Sequence, residues 1–468
     1  MINEQAEFSS FRDPSGFLFY RNAVLYRQVN QCYQKHYDWM MESKLYDDLI
    51  SQKLIIPHEE VPILDPPQPE MAYKLIQPEK VEFISYPYEW TFHQLRSAAL
   101  TTLRIARVAL DHGMILKDAS AYNLQFHKGR WQLIDTLSFE IYQEGEPWIA
   151  YQQFCRHFLA PLAMMAYKDT RLGLASRIFI DGIPLDLAAS TLPFRSKLRL
   201  GLLTHIHLHA RSQKKYADKG LAKQETQGKF SQNALVGLLD SLRNSVKGLS
   251  MALPKTEWAD YYEDMNYSDE AFEEKKAIVR EFIEEVNPSM VWDLGANTGE
   301  FSLLASEKGI LTVAFDFDPG AVSQNYFRVR KNRDTRLLPL VMDLKNPSPG
   351  LGWGHQERQS LIDRGPADLV LALALVHHLA ISNNVPLTRL SNFFKRICQH
   401  LIIEFVPKSD SQVQRLLQSR KDIFDDYSVS SFETAFEYNY DIIQRHSLSG
   451  SERVLYLMRA KDSSLYGG

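Results

Sequence analysis

Cysteine is scarce in this chain. The three present in 468 residues, Cys32, Cys155 and Cys398, lie far apart and form no C-x-x-C pair, so neither a disulfide framework nor a thiolate metal site is indicated. Long apolar runs are missing too: none reaches the ~18 residues of a membrane span. There is no basic tract, and a formal net charge of -4 carries no electrostatic footprint of nucleic-acid binding. Met1-Ile-Asn-Glu-Gln-Ala-Glu7 has neither the basic start nor the apolar core of a signal peptide. A cytoplasmic protein without a nucleic-acid partner is expected. With 45% hydrophobic and 24% charged residues the chain has a globular composition. Its 468 residues exceed what one core usually serves, so two or more domains are expected.

What is present is most informative at Met290-Val-Trp-Asp-Leu-Gly-Ala-Asn-Thr-Gly-Glu-Phe301. Apolar residues lead into Asp293, a tight turn spans Gly295 to Gly299, and Glu300 to Lys308 carries helical spacing closed by Gly309. That order reads as a buried parallel strand, a glycine turn and a helix, which together set backbone N–H groups against a small polar ligand. A phosphate loop would need Lys-Ser/Thr where Glu300-Phe301 stands. A dinucleotide fingerprint counted from Gly295 would need glycine at Asn297 and Glu300, and a glutamate opening a helix repels a pyrophosphate. S-adenosylmethionine (SAM) has no phosphate and carries a cationic sulfonium and an amino group. An acidic strand end beside a glycine turn suits it better.

Ile310-Leu-Thr-Val-Ala-Phe315 is a second β run and ends in Asp316, 21 positions after Gly295, where an acid can take both ribose hydroxyls. Leu337 to Met342 is a third and ends in Asp343, which could reach an adenine amino group. Strands closed by acids and separated by helices make a half-sheet with its ligand crevice at the carboxyl ends.

Asp293-Leu-Gly-Ala-Asn-Thr-Gly299, Phe315-Asp-Phe-Asp-Pro319 and Asp343 resemble the successive cofactor motifs of class I SAM-dependent methyltransferases. The resemblance covers about Lys255 to Lys461. It implies a Rossmann-like α/β domain, with a seven-stranded, mostly parallel sheet and an antiparallel last strand. It also implies cofactor contacts at Asp293, Gly295, Ala296, Asn297, Gly299, Asp316, Phe317, Met342, Asp343 and Leu373. One departure is Asn297 in place of the usual middle glycine; asparagine tolerates left-handed backbone better than most residues. Asp368 to Leu379 reads as the fourth strand and its edge, His400 to Val406 as the fifth, and Tyr440–Arg445 with Arg453–Met458 as a closing antiparallel hairpin. His377 and His378, just past the fourth strand, are the base candidates, and Glu404 is a weaker one. Trp258, Tyr261, Tyr262 and Tyr267 are candidates to cover donor or substrate. Asn346 to Gly354 is a Pro/Gly loop of a length that usually marks function or disorder.

The first ~210 residues are organised differently. A hairpin between Phe17 and Val24, a helix over Tyr33–Leu54, strands at Ala72–Ile76 and Lys80–Ser85, and a long buried helix from Phe92 to Asp111 are expected. His112 to Asp135 follows, with Asp118 and Asn123 at D-x-x-x-x-N spacing and Asp135 after a short hairpin. In a kinase that spacing supplies a base, a metal-binding amide and a metal-binding carboxylate. The stretch resembles the catalytic segment of the protein-kinase-like α+β fold, which implies nucleotide or ATP–magnesium contacts at Asp118, Asn123 and Asp135. The resemblance is partial: DFG is replaced by Asp135-Thr-Leu137, no glycine-rich loop is present, and Arg27 and Lys74 are the nearest cations to a kinase lysine. An active kinase, a degenerate nucleotide binder and a substrate-positioning scaffold all remain open. His205 and His209 stand one helical turn apart, but without a third ligand they read as packing residues.

The expected division is a kinase-like domain over 1–211, a linker with a short helix over 212–254, and a methyltransferase domain over 255–468. Ile84-Ser-Tyr-Pro-Tyr-Glu-Trp90, Leu116 to Asn123 and the Asp293–Gly299 motif, in that order, resemble a bacterial methyltransferase family related to a rhizobial nodulation protein. The resemblance implies an enzyme that methylates an O or N atom. The fourth strand lacks Asn/Asp-Pro-Pro-Tyr/Phe, Cys398 is badly placed for pyrimidine methylation, and there is no basic tract. A small-molecule or glycan acceptor is therefore expected over nucleic acid. A bifunctional kinase/methyltransferase and a non-catalytic assembly protein are the competing expectations, and the oligomeric state is not legible.

Overall fold

The computed structural model describes residues 4–211, 231–251, 269–418 and 421–462. It divides into two units: Met1–Ala252 with Leu351–Arg358, and Leu253–Gly350 with Gln359–Gly468. Trp258, Tyr261, Tyr262 and Tyr267 lie outside the described residues, as do positions 212–230 of the expected linker.

In the first unit, Gly16–Arg21 (β2) and Val24–Asn30 (β3) pair through a two-residue turn at Asn22-Ala23, whose φ angles are 51° and 65°. Two positive φ angles match the twist of the flanking strands. With β1 (Glu4–Ala6), β4 (His58–Val61) and β5 (Ala72–Pro78) they make an antiparallel sheet ordered β1-β2-β3-β5-β4. The strand expected at Lys80–Ser85 does not form. The helix expected over Tyr33–Leu54 is two, Gln34–Glu42 and Leu45–Ser51, because Lys44 turns left-handed between them.

The Phe92–Asp111 helix starts at Thr91, whose hydroxyl accepts from Gln94 N while the Gln94 side chain returns to the Thr91 amide. This reciprocal cap satisfies two N–H groups that a helix start leaves open. Its apolar face is covered by a helix at Gln232–Gly248, through Leu235, Leu239, Leu242 and Val246. Arg96 ties the two by donating to the carbonyls of Val246 and Lys247, at 3.2 and 2.9 Å. The short helix expected within the 212–254 linker is thus Gln232–Gly248 and part of the first unit's core. Beyond it, β6 (Met114–Leu116) pairs with β9 (Phe139–Ile141), and β7 (Leu124–His127) forms a hairpin with β8 (Arg130–Leu133).

Leu351–Arg358 also belongs to this unit, although the residues on either side of it do not. Its ends pair backbone to backbone, Leu351 N to Arg358 O at 3.0 Å and the reverse at 3.1 Å. Glu357 receives the Arg12 guanidinium on both oxygens, at 2.5 and 3.0 Å. The Arg358 guanidinium lies 4.2 Å from the centre of the Tyr122 ring. A Cβ at Gly352 would come within 2.2 Å of Glu357 Oε2, and its φ is 79°; only glycine fits there.

The second unit is a seven-stranded sheet ordered β12-β11-β10-β13-β14-β16-β15. Its strands are β10 (Met290–Leu294), β11 (Leu311–Asp316), β12 (Leu337–Val341), β13 (Ala367–Ala372), β14 (Cys398–Phe405), β15 (Tyr440–Ser447) and β16 (Val454–Ala460). Neighbours are parallel from β12 to β14, and β16 runs against both β14 and β15. This is the Rossmann-like sheet with one reversed strand. Near-continuous apolar strands such as Ala367–Ala372 suit a sheet covered on both faces. One cover is the Asp269–Val286 helix, whose Val279, Phe282 and Ile283 pack with Val291, Leu371 and Leu457.

Candidate functional site

The strand order reverses between β10 and β13, the switch point at which open α/β sheets bind ligands beyond their carboxyl ends. A cavity of about 330 Å³ lies there, within the range of small-molecule sites. Asp293, Asp316 and Asp343, each closing or following one of three neighbouring strands, all line it. So do Gly295, Ala296, Asn297, Phe317, Met342 and Leu373. The sheet thus brings nearly all the expected cofactor residues to one cavity.

The turn after β10 is held by the next strand. Gly295 N and Ala296 N both donate to Phe315 O, at 2.8 and 2.9 Å. Asn297 takes the left-handed conformation, φ 51°, that its side chain tolerates. Its amide donates to Asp316 Oδ2 at 2.8 Å, while Asp318 N donates to Oδ1 at 2.8 Å. Asp316 therefore fastens two of the loops that face the cavity, those after β10 and β11. Gly299 does not line it. Its φ is 83° and an added Cβ would sit 2.3 Å from Asn325 Nδ2, so its backbone conformation and the close approach of Asn325 require glycine there.

Burial pushes the Asp293 carboxyl up to about 7, against a 2.6 Å hydrogen bond from Ser302 Oγ, with nearby Asp316 adding to the rise. Burial likewise pushes Asp316 up to about 6 despite the two backbone N–H donors. Both carboxyls hold protons in the folded chain at pH values where the unfolded chain has lost them. Folded-state stability of the ligand-free protein is thus present near pH 4 and declines as pH rises towards 7. A ligand whose cation meets Asp293 and whose hydroxyls meet Asp316 is held best by the ionised carboxylates. Affinity for such a ligand is therefore expected to rise between pH 5 and 7, by up to ~10-fold per unit for each proton released. Titration calorimetry in buffers of differing ionisation enthalpy checks this; a flat pH profile would count against it.

Of the two histidines expected as bases, the cavity is lined by one. His378 faces it, and burial, with Arg453 adding, brings its pKa down to about 4. His377 is fully buried behind it, its ring 4.1 Å from that of His378, with neither ring nitrogen hydrogen-bonded and its pKa driven well below the usual value by burial. The chain enters a π turn at His378–Ser382, so consecutive side chains point in different directions. Glu404 is buried and does not line the cavity; it bonds Lys275 Nζ and Ala374 N, both at 2.7 Å.

Lys275 and Phe272, on the Asp269–Val286 helix, also line the cavity, as does Leu416. Lys275 is not among the expected cofactor residues, because its helix reads as a charged one. A signal was there: Lys275 falls in the apolar stripe of Phe272, Val279, Phe282 and Ile283, where a cation needs a buried partner.

In the first unit, Asp118, Asn123 and Asp135 come together, but each is engaged. Asp118 Oδ1 accepts from Gln153 Nε2 at 2.8 Å and Ser120 N at 2.9 Å. Asn123 reaches Ser138 Oγ at 3.5 Å. Asp135 pairs with Arg27 from β3 and accepts from Ser138 Oγ at 2.7 Å and Leu137 N at 3.0 Å. Burial would raise the Asp135 carboxyl, but Arg27 and these two donors hold it below the usual carboxylate range. Among the described residues no group of three or more His, Cys, Asp or Glu side chains could hold a metal, and nothing here supports the ATP–magnesium expectation. With Asp135 committed to Arg27, ATP with magnesium is expected to leave the melting temperature unchanged; a stabilisation that disappears in Asp135→Ala would favour the nucleotide reading instead. His205 shares hydrogen bonds with Tyr151 and Ser241, both at 2.9 Å, and serves packing.

The chain is 34% identical to the nodulation protein NoeA of Rhizobium meliloti (strain 1021) over 456 residues, covering 96% of this chain and 94% of that one. It belongs to the NoeA family. No protein-family model matches it. Partial similarity to solved structures extends to the bifunctional kinase-methyltransferase WbdD, at 17% identity and a TM-score of 0.30 over 44% of this chain and 43% of that one. It extends also to the N-methyltransferase NodS of Bradyrhizobium japonicum WM9, at 11% identity and 0.30 over 42% of this chain and 99% of that one. A third is the magnesium protoporphyrin IX methyltransferase of Synechocystis PCC 6803 with bound SAH, at 15% and 0.30 over 41% and 84%. Among the described residues of this NoeA-family chain no helix is long and apolar enough to cross a membrane.

Proposed function

We propose that the second unit binds SAM and that this NoeA-family protein is a methyltransferase acting on an O or N atom of a small-molecule or glycan acceptor. The observation that carries the reading is the convergence of Asp293, Asp316 and Asp343 on one cavity at the switch point of the sheet. The residues fit the group. Asp316 would hold the ribose hydroxyls, Asp343 and Met342 the adenine, and Asp293 with the Gly295–Asn297 turn the cationic amino-acid end. SAM, when bound, supplies an electrophilic methyl group.

What remains for the protein is alignment and proton removal. His378 on the cavity wall is neutral at pH 7 because burial lowers its pKa to about 4. It can accept a hydrogen bond from an acceptor hydroxyl or amine and take the proton once bond formation has made it acidic. Phe272, Leu379 and Leu416 give the cavity an apolar wall, while Ser382 and Asn383 offer polar contacts to an acceptor. The first unit, whose Asp135 is committed to Arg27, is assigned the role of scaffold or substrate binder. Transfer of labelled methyl from SAM into an extract of small molecules and glycans tests the reading. His378→Ala is expected to lower turnover by ~10²-fold or more with SAM affinity little changed. Undiminished turnover would favour a non-catalytic role for the histidine, and absence of any SAM binding would remove the enzyme reading.

A further inference from the structure

We infer that Lys275 holds the carboxylate of the donor's amino-acid tail and makes the site selective for donors that carry one; this rests on the reading of the cavity as a SAM site. Across the sheet, the cavity runs from Asp343 beyond β12, past Asp316 and Asp293, to Leu373 and Ala374 at β13. Acids therefore serve the ribose and the cationic centres along most of its length. A tail that bears an ammonium and a carboxylate on one carbon needs an acid and a cation side by side. Asp293 and Lys275 both line the cavity and lie close enough to affect each other's ionisation.

The alternatives on the cavity wall are poorer. Among the described lining residues the lysine and arginine side chains are Lys275 and Lys345. Lys345 is half exposed and sits 3.6 Å from Asp343, at the opposite end. The helix start at Glu300 carries its own carboxylate, paired with Arg328, and so repels an anion.

Burial of Lys275 also calls for a reason. Its side chain is 3% exposed and its partner Glu404 0%, and a buried lysine–glutamate pair gains little over apolar side chains of the same size. Glu404 does more than neutralise it: the same oxygen accepts from Ala374 N, a residue with φ 49° at the cavity edge. One carboxylate thus fixes both the lysine and the strand end that the tail would meet. An ammonium has three N–H donors, so bonding Glu404 is compatible with holding a ligand carboxylate.

The test is titration calorimetry of the full chain with SAM, decarboxylated SAM and 5′-methylthioadenosine. Wild type is expected to prefer SAM over its decarboxylated form by ~10-fold or more. Lys275→Met should lose that preference by weakening SAM alone, and Lys275→Arg should restore part of it. Where Lys275→Met fails to fold, Lys275→Met with Glu404→Gln, which removes both charges, carries the same comparison. A retained preference in the variants, or equal weakening of all three ligands, would overturn the inference. So would unchanged SAM affinity with lost turnover, which would make the lysine a base. Binding of none of the three by wild type would instead remove the donor reading beneath it, and the inference with it.

Discussion

Asp316→Asn is expected to weaken SAM binding by ~10²-fold or more. Hydrogen bonds to a charged acceptor contribute ~1.5–3 kcal/mol each, and a ribose offers two hydroxyls to this carboxylate. The substitution also acts through the protein itself. Asp316 accepts from Asn297 N and Asp318 N, one on each oxygen. An amide can accept at only one of its two ends, so one of these N–H groups would face another donor and a cavity loop would shift. Asp343→Asn provides the contrast: its side chain is 46% exposed and accepts locally from Lys345 N, so a loss under ~10-fold is expected, water competing for its bonds. Calorimetry on the two variants and wild type checks the order. Undiminished binding in Asp316→Asn would sink the assignment of the cavity.

The second large effect is expected on stability. Glu404→Ala leaves Lys275, 3% exposed, without the carboxylate 2.7 Å from it, and removes the 3.6 Å partner of buried Arg453 Nη1. Removing one member of a buried ion pair typically costs ~3–5 kcal/mol, because the remaining charge stays in a poorly solvating interior. For a unit of this size that is a fall of roughly 10 °C in melting temperature. Arg453 keeps Asp410 at 2.7 Å, so the damage should centre on Lys275. The double change Lys275→Met with Glu404→Leu is therefore expected to recover most of the loss, since it removes the stranded charge. Thermal denaturation of the single and double variants measures both; a single variant as stable as wild type would show that the pair is solvated after all.

Much of the cavity's lining could be read locally. An apolar run ending in Asp293, the glycines at 295 and 299, and the acids at 316 and 343 each signal their conformation within a few residues, because strand and turn preferences depend on near neighbours. The first unit was less legible. The break at Lys44 and the short strand His58–Val61 lack strong local signals, and the sheet is stabilised by cross-strand packing that no single segment encodes.

By itself the amino-acid sequence determined the order of strands and helices in the second unit and the acids at the strand ends, since hydrophobic period and glycine placement act over short distances. Only the tertiary structure decided that His378 and not His377 meets the cavity, that Arg27 takes Asp135, that Lys275 comes to the cavity beside Glu404, and that Leu351–Arg358 is built into the first unit. Each depends on residues distant in the chain or on the direction a side chain takes out of a turn. Those are set by packing and by the pairing of buried charge, which leave no periodic trace along the chain.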